Sequence, residues 1–165
     1  MAVPRTDEQS GVQPNPLDFI EQLFEANDWP IQRDANDQVR IACEINGVDL
    51  DGFFYWNEEE KILRFSVPLQ VVLPKRLPEK LYELLYYLNE KSFLGAVSIA
   101  GEVLAYEYPL LIKDSEFTEG QLTSILSYAV QQSVILPPIF QLFFYGGKSP
   151  KDAIQYGCLE PVGEA

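Results

Sequence analysis

Three features of the 165-residue chain predict an α+β fold in which helices pack an antiparallel sheet. Apolar residues alternate with period two in a group of three runs and again in a group of two. Stripes at helical spacing stand before, between and after these groups. Turn signals such as Asn46-Gly47 join the runs within a group as a meander. The predicted order is α-βββ-α-ββ-α, followed by a short terminal helix.

Asn15-Pro16 opens the first helix as N-cap and first helical residue, with Asp18 placed well for the helix dipole. Leu17, Ile20, Leu23 and Phe24 form its apolar stripe. Asn27-Asp28-Trp29-Pro30 closes it, with Asn27 as the residue able to turn left-handed and Trp29 as a plug. Val39, Ile41, Cys43 and Ile45 mark the first strand. Asp49 to Trp56 forms the second, with Leu50, Phe54 and Trp56 on one face and Phe53 and Tyr55 on the other. After the turn at Asn57 to Glu60, Leu63, Phe65, Val67, Leu69, Val71 and Leu73 line a long third strand.

Pro74 to Lys91 reads as the second helix, with Leu77, Leu81, Leu84, Leu85 and Leu88 in one stripe and Tyr82 and Tyr86 beside it. Strands follow at Ala96 to Ala100 and Val103 to Ile112. Thr118-x-x-Gln121 is a capping box for the third helix, which is expected to break or kink at Pro137-Pro138 and resume through Phe144. Gly146 or Gly147 then takes a positive φ. Ser149 caps a short helix from Pro150 to about Gly157.

Gly147-Lys148-Ser149 has the ending of a phosphate-binding loop, but Leu142 stands where its first glycine belongs, helix precedes it and Pro150 follows. A helical corner is the better reading. The net charge of −13 argues against nucleic acid or an anionic membrane, both of which need clustered cations. Histidine is absent, which removes the commonest neutral-pH base and imidazole metal sites. Cys43 and Cys158 are isolated, so no metal knuckle or redox pair is signalled. No cofactor, metal site or catalytic residue is expected. Residues 1–14 lack a signal-peptide pattern and read as a disordered tail, with 15–165 as one domain. With no membrane-length apolar run, a soluble cytoplasmic protein is expected.

Several motifs in fixed order resemble the bacterial YbjN family across residues 15–165. They are Asn15-Pro16-Leu17-Asp18, Asn27-Asp28-Trp29-Pro30, Tyr82-Glu83-Leu84-Leu85, Asn89-Glu90-Lys91 before Leu94-Gly95, Phe140-Gln141 leading to Gly146-Gly147-Lys148-Ser149-Pro150, and Val162-Gly163-Glu164-Ala165. Pro137, Tyr145 and Pro161 depart from the residues the resemblance leads one to expect. The resemblance implies a type III secretion chaperone-like fold, a sensory-transduction or stress regulator without enzyme activity, and the habits of such chaperones: small, acidic, usually dimeric, holding a partner polypeptide.

The function expected is therefore a non-enzymatic protein-binding module with an unidentified protein partner, forming a homodimer. A partner could add to a sheet edge or lay apolar anchors into grooves. The candidate contacts are Phe54, Trp56, Tyr82, Tyr86, Phe143, Phe144 and Tyr145, and for each the competing reading is core or dimer packing. One alternative is a carboxylate enzyme using a hard cation at Asp49, Asp51 and Glu58 to Glu60. Another is an acidic decoy of a basic protein surface, whose affinity would fall steeply with salt.

Overall fold

In the computed structural model, which describes residues 15–34, 37–113 and 116–158, Asn15 caps helix α1 (Pro16–Ala26) by accepting the Leu17 N–H at 2.9 Å. The tail expected at 1–14, and Pro161 to Ala165 of the family motif, lie outside the described residues. At the far end of α1 the left-handed residue is Asp28, at φ 55°, while Asn27 keeps φ −103° and bonds the Leu23 carbonyl through its side chain. The Trp29 N–H donates to the Phe24 carbonyl at 2.9 Å, and its ring meets the Phe24 ring edge-on at 5.2 Å.

Six strands follow the order β1-β2-β3-β4-β6-β5, with every neighbouring pair antiparallel. They are β1 (Ile31–Asp34), β2 (Gln38–Ile45), β3 (Val48–Asn57), β4 (Ile62–Pro68), β5 (Ala96–Ala100) and β6 (Val103–Leu111). The expected α+β architecture is present, and β1 is an addition to the predicted order. Its sequence, IQRD, carries a single apolar residue and no local signal; pairing with β2 makes it a strand. The third predicted strand stops at Pro68 instead of reaching Leu73. Its partner β6 begins at Val103, so the ladder runs out after the Leu69 N–H bonds the Leu104 carbonyl.

Helix α2 spans Leu81–Glu90 and does not begin at Pro74. Pro78 disfavours helical geometry at Leu77, and the first turn forms only where the Leu81 N–H reaches the Pro78 carbonyl. Helix α3 (Glu119–Phe144) starts on the expected capping box and runs unbroken through Pro137-Pro138. Each proline removes a helical N–H, a cost of about 3 kcal/mol. Buried Leu136, Pro137, Ile139 and Phe140 hold the segment against the core regardless. Gly147, at φ 63°, makes the corner, and Ser149 caps α4 (Pro150–Gly157).

The inward face of the sheet buries Val39, Ile41, Leu50, Phe54, Leu63, Phe65, Leu104 and Tyr106 against Leu17, Ile20 and Phe24 of α1 and Leu122, Ile125 and Ala129 of α3. Cys43 belongs to this core, and burial pushes its thiol up to about 11, so it stays protonated and unreactive at neutral pH. The outward face carries ion pairs instead: Arg40 with Asp51 at 2.7 Å and Arg64 with Glu107 at 3.6 Å. The two guanidiniums also lie 5.9 Å and 5.6 Å from the Phe53 and Tyr55 rings.

Asn89 of α2 protects the β5 edge. Its side-chain amide donates to the Val97 carbonyl at 3.0 Å and accepts the Val97 N–H at 2.8 Å, occupying groups that would otherwise invite another strand. Replacing Asn89 by alanine leaves both backbone groups without their partner and is expected to cost about 1–3 kcal/mol. Urea unfolding checks the loss, and an unchanged midpoint would remove this role.

Candidate protein-binding surface

Helix α2 turns Leu81 and Leu84 into the core, with Leu85 and Leu88 half-buried beside them. The same helical period forces Tyr82 and Tyr86, one turn apart, to the outer side, where they are 73% and 62% exposed. Tyr86 meets the half-buried Tyr87 edge-on at 5.6 Å, and the Lys151 ammonium of α4 lies 5.3 Å from the Tyr87 ring.

Directly after α2, Phe93 is 97% exposed and Leu94 is exposed beside it. The backbone carrying them is tied down: the Tyr106 hydroxyl donates to the Leu94 carbonyl at 2.7 Å, and the Ser92 hydroxyl lies within bonding distance of the Leu94 and Gly95 carbonyls. Burial strongly raises the Tyr106 pKa, so this hydroxyl remains a donor throughout the physiological range. Phe93 and Leu94 are not among the contacts expected from the sequence. Residues trailing a helix carry no periodic signal, although Leu94-Gly95 stands in the family motif.

The remaining candidates are divided. Phe54 is fully buried and Trp56 is 7% exposed, so in this conformation both belong to the core, because β3 alternation sends them to the helix-covered side. The Trp56 indole donates to Glu58 at 2.6 Å. At the end of α3, Phe143 is buried and Phe144 half-buried, their rings 5.4 Å apart. Tyr145 is exposed and donates its hydroxyl to the Val72 carbonyl at 2.7 Å, placing it beside a second exposed apolar residue.

Two of the acidic candidates, Asp51 and Glu58, sit in surface ion pairs. Asp51 accepts Arg40 through both carboxylate oxygens, and Glu58 is held by Lys61 and the Trp56 indole, contacts that lower its pKa. Among the described residues, no group of three or more His, Cys, Asp or Glu side chains is placed to hold a metal ion. Two of the recesses among the described residues lie beside the sheet. One, of about 590 Å³, is lined by Asp37, Tyr55, Trp56, Glu58, Glu60 and Arg64 among others. The other, of about 360 Å³, lies where Leu23 and Trp29 face the first turns of α3. No helix of the described residues is long and apolar enough to cross a membrane.

This architecture, a six-stranded antiparallel sheet with α1 and α3 over one face, is a type III secretion chaperone-like fold. A chain in the crystal structure of the ExsC–ExsE complex is similar in fold, with TM-score 0.51 and 16% identity, covering 80% of this chain and 98% of that one. The chain belongs to the YbjN family, described as "Putative bacterial sensory transduction regulator", which matches residues 16–134. The crystal structure of YbjN from E. coli aligns with TM-score 0.47 and 14% identity, over 70% of this chain and 84% of that one. The HopA1–SchA chaperone–effector complex aligns with TM-score 0.46 and 9% identity, over 72% and 95%. No curated protein matches the sequence.

Proposed function

We propose that this protein is a non-enzymatic binding module that acts by holding a partner polypeptide on the outer side of α2. The observation that carries this reading is the exposure of Tyr82, Tyr86 and Phe93 on a helix and turn anchored by Asn89 and Tyr106. Aromatic side chains lose little conformational freedom on binding and remove much apolar area from water. Held on a rigid backbone, they suit recognition better than they suit a solvated surface. Membership of a regulator family supports the reading, as does a fold relative crystallised in complex with a second polypeptide. Tyr145 and Val72 offer a second exposed apolar spot to a partner. Self-association into a homodimer belongs to the same proposal, and light scattering across protein concentration tests it.

Affinity capture with the full chain from bacterial lysate is expected to retain a discrete polypeptide. The Tyr82→Ala/Tyr86→Ala variant should lose it, with affinity falling roughly tenfold or more per tyrosine. Both side chains are exposed, so the variant should keep its melting temperature. Retention should persist at high salt, which separates aromatic docking from an acidic decoy. Repeated capture of nothing beyond the chain itself would overturn the reading.

A further inference from the structure

The outer side of α2 carries carboxylates as well as aromatic rings. Its sequence, LYELLYYLNE, contains no lysine or arginine. With Tyr82 and Tyr86 one turn apart, the helical period places Glu83 one turn before Tyr86 and Glu90 one turn after it. In heptad terms, with Tyr82 at d and Tyr86 at a, both glutamates fall at e, along one flank of the aromatic pair. Both are exposed.

Neither glutamate takes part in an ion pair among the described residues. Lys80 and Lys91 cap the two ends of the helix, and Lys151 stands on its α4 side, 5.3 Å from the Tyr87 ring. Glu83, in the first turn, is favoured by the positive end of the helix dipole. Glu90 closes the helix at the negative end, where an anion is disfavoured. A cation brought in beside Glu90 therefore relieves an unfavourable placement as well as gaining a partner. The outward face of the sheet differs, because Arg40 and Arg64 there already have Asp51 and Glu107.

We infer that the segment held on α2 is an amphipathic helix of the partner, with an apolar stripe that packs on Tyr82 and Tyr86 and a flank carrying lysine or arginine at seven-residue spacing. Glu83 and Glu90 are themselves seven residues apart, about 10 Å along the axis, so cations at that spacing on a helix lying alongside meet both. This rests on the reading of α2 as the binding surface and adds the chemistry of the partner. The aromatic contact supplies affinity, while the carboxylates fix register and select against acidic segments.

The probe is the synthetic peptide acetyl-LAQLKAQLAQLKAQL-amide, whose lysines stand seven residues apart beside a leucine stripe. It is titrated into the full chain while amide and tyrosine-ring resonances are followed. Shifts are expected at Tyr82, Glu83, Tyr86, Glu90 and Phe93. At low salt the analogue with glutamate for both lysines should leave these signals unmoved. Glu83→Gln/Glu90→Gln should weaken the lysine peptide about two- to tenfold at low salt, while the variant keeps its melting temperature. Glu83→Lys/Glu90→Lys should reverse the preference, a result that a merely structural role does not produce. At high salt the two peptides should bind more equally, because the carboxylate contacts are screened and the aromatic contact is not. Equal binding of both peptides at low salt, or no shift from either while lysate capture still depends on Tyr82 and Tyr86, would overturn this inference alone. Lysate capture that Tyr82→Ala/Tyr86→Ala leaves intact, with peptide shifts confined to other surfaces, would overturn it together with the α2 reading. A dimer dissociated by Tyr82→Ala/Tyr86→Ala, with no peptide shift in either form, would assign the stripe to a second copy of the chain and equally end the inference.

Discussion

Phe54→Ala is expected to remove on the order of 3–5 kcal/mol of stability, a large share of the total for a domain of this size. Phe54 has no exposed surface, and its ring stacks on Phe65 with centroids 4.2 Å apart and planes 19° from parallel. It pairs with Val39 on one side and Phe65 on the other, so truncation opens a void bounded by three strands. The backbone cannot collapse into that void without breaking both ladders. Gly52 shows how tightly the layer is filled: a Cβ there would lie 2.7 Å from the Phe65 ring. The urea midpoint should fall with an unchanged m-value. A loss below about 1 kcal/mol would mean that Phe54 is not a core residue in solution. The same substitution also distinguishes packing from recognition: partner binding by Phe54→Ala should persist wherever the variant is folded.

Gly95→Ala is expected to cost on the order of 3 kcal/mol, from two sources that a second variant separates. Gly95 has φ 70°, where an L-residue is disfavoured by about 1–2 kcal/mol. Its added Cβ would also collide with the Glu107 carbonyl oxygen and lie 2.5 Å from the Tyr106 hydroxyl. The first of these is backbone paired within the sheet, and the second holds the Leu94 carbonyl, so neither can yield without loosening the anchor of Phe93. Gly101 has a similar φ of 64°, but a Cβ there would meet nothing within 4 Å. Gly101→Ala should therefore show the conformational penalty alone. Thermal unfolding of the two variants is the measurement, and equal losses would refute the steric argument. Because Gly95 sits between α2 and β5, its variant should also weaken partner capture, even though it touches no proposed contact.

Much of the fold is legible in short stretches. The Asn15 and Ser149 caps, the Thr118–Gln121 box and the Asn46-Gly47 turn each act within a few residues, and each forms as its sequence dictates. The differences occur where distant groups decide. β1 needs β2, the end of β4 is set by where β6 begins, and α3 survives two prolines because a core already surrounds them. Tyr82 and Phe54 are equally plausible contacts from composition alone; one faces outward and the other is enclosed.

The alternation of strands and helices, the caps and turns that punctuate them, and the family resemblance across residues 15–165 are written in local pattern. These follow from backbone geometry and side-chain period, which neighbouring residues establish. Which aromatics remain exposed, and that Asn89 bonds the outer edge of β5 at Val97, depended on packing between distant segments. Exposure and charge juxtaposition are properties of surfaces assembled from segments far apart in the chain. Local pattern specifies the parts, and packing selects which of their faces remain available for binding.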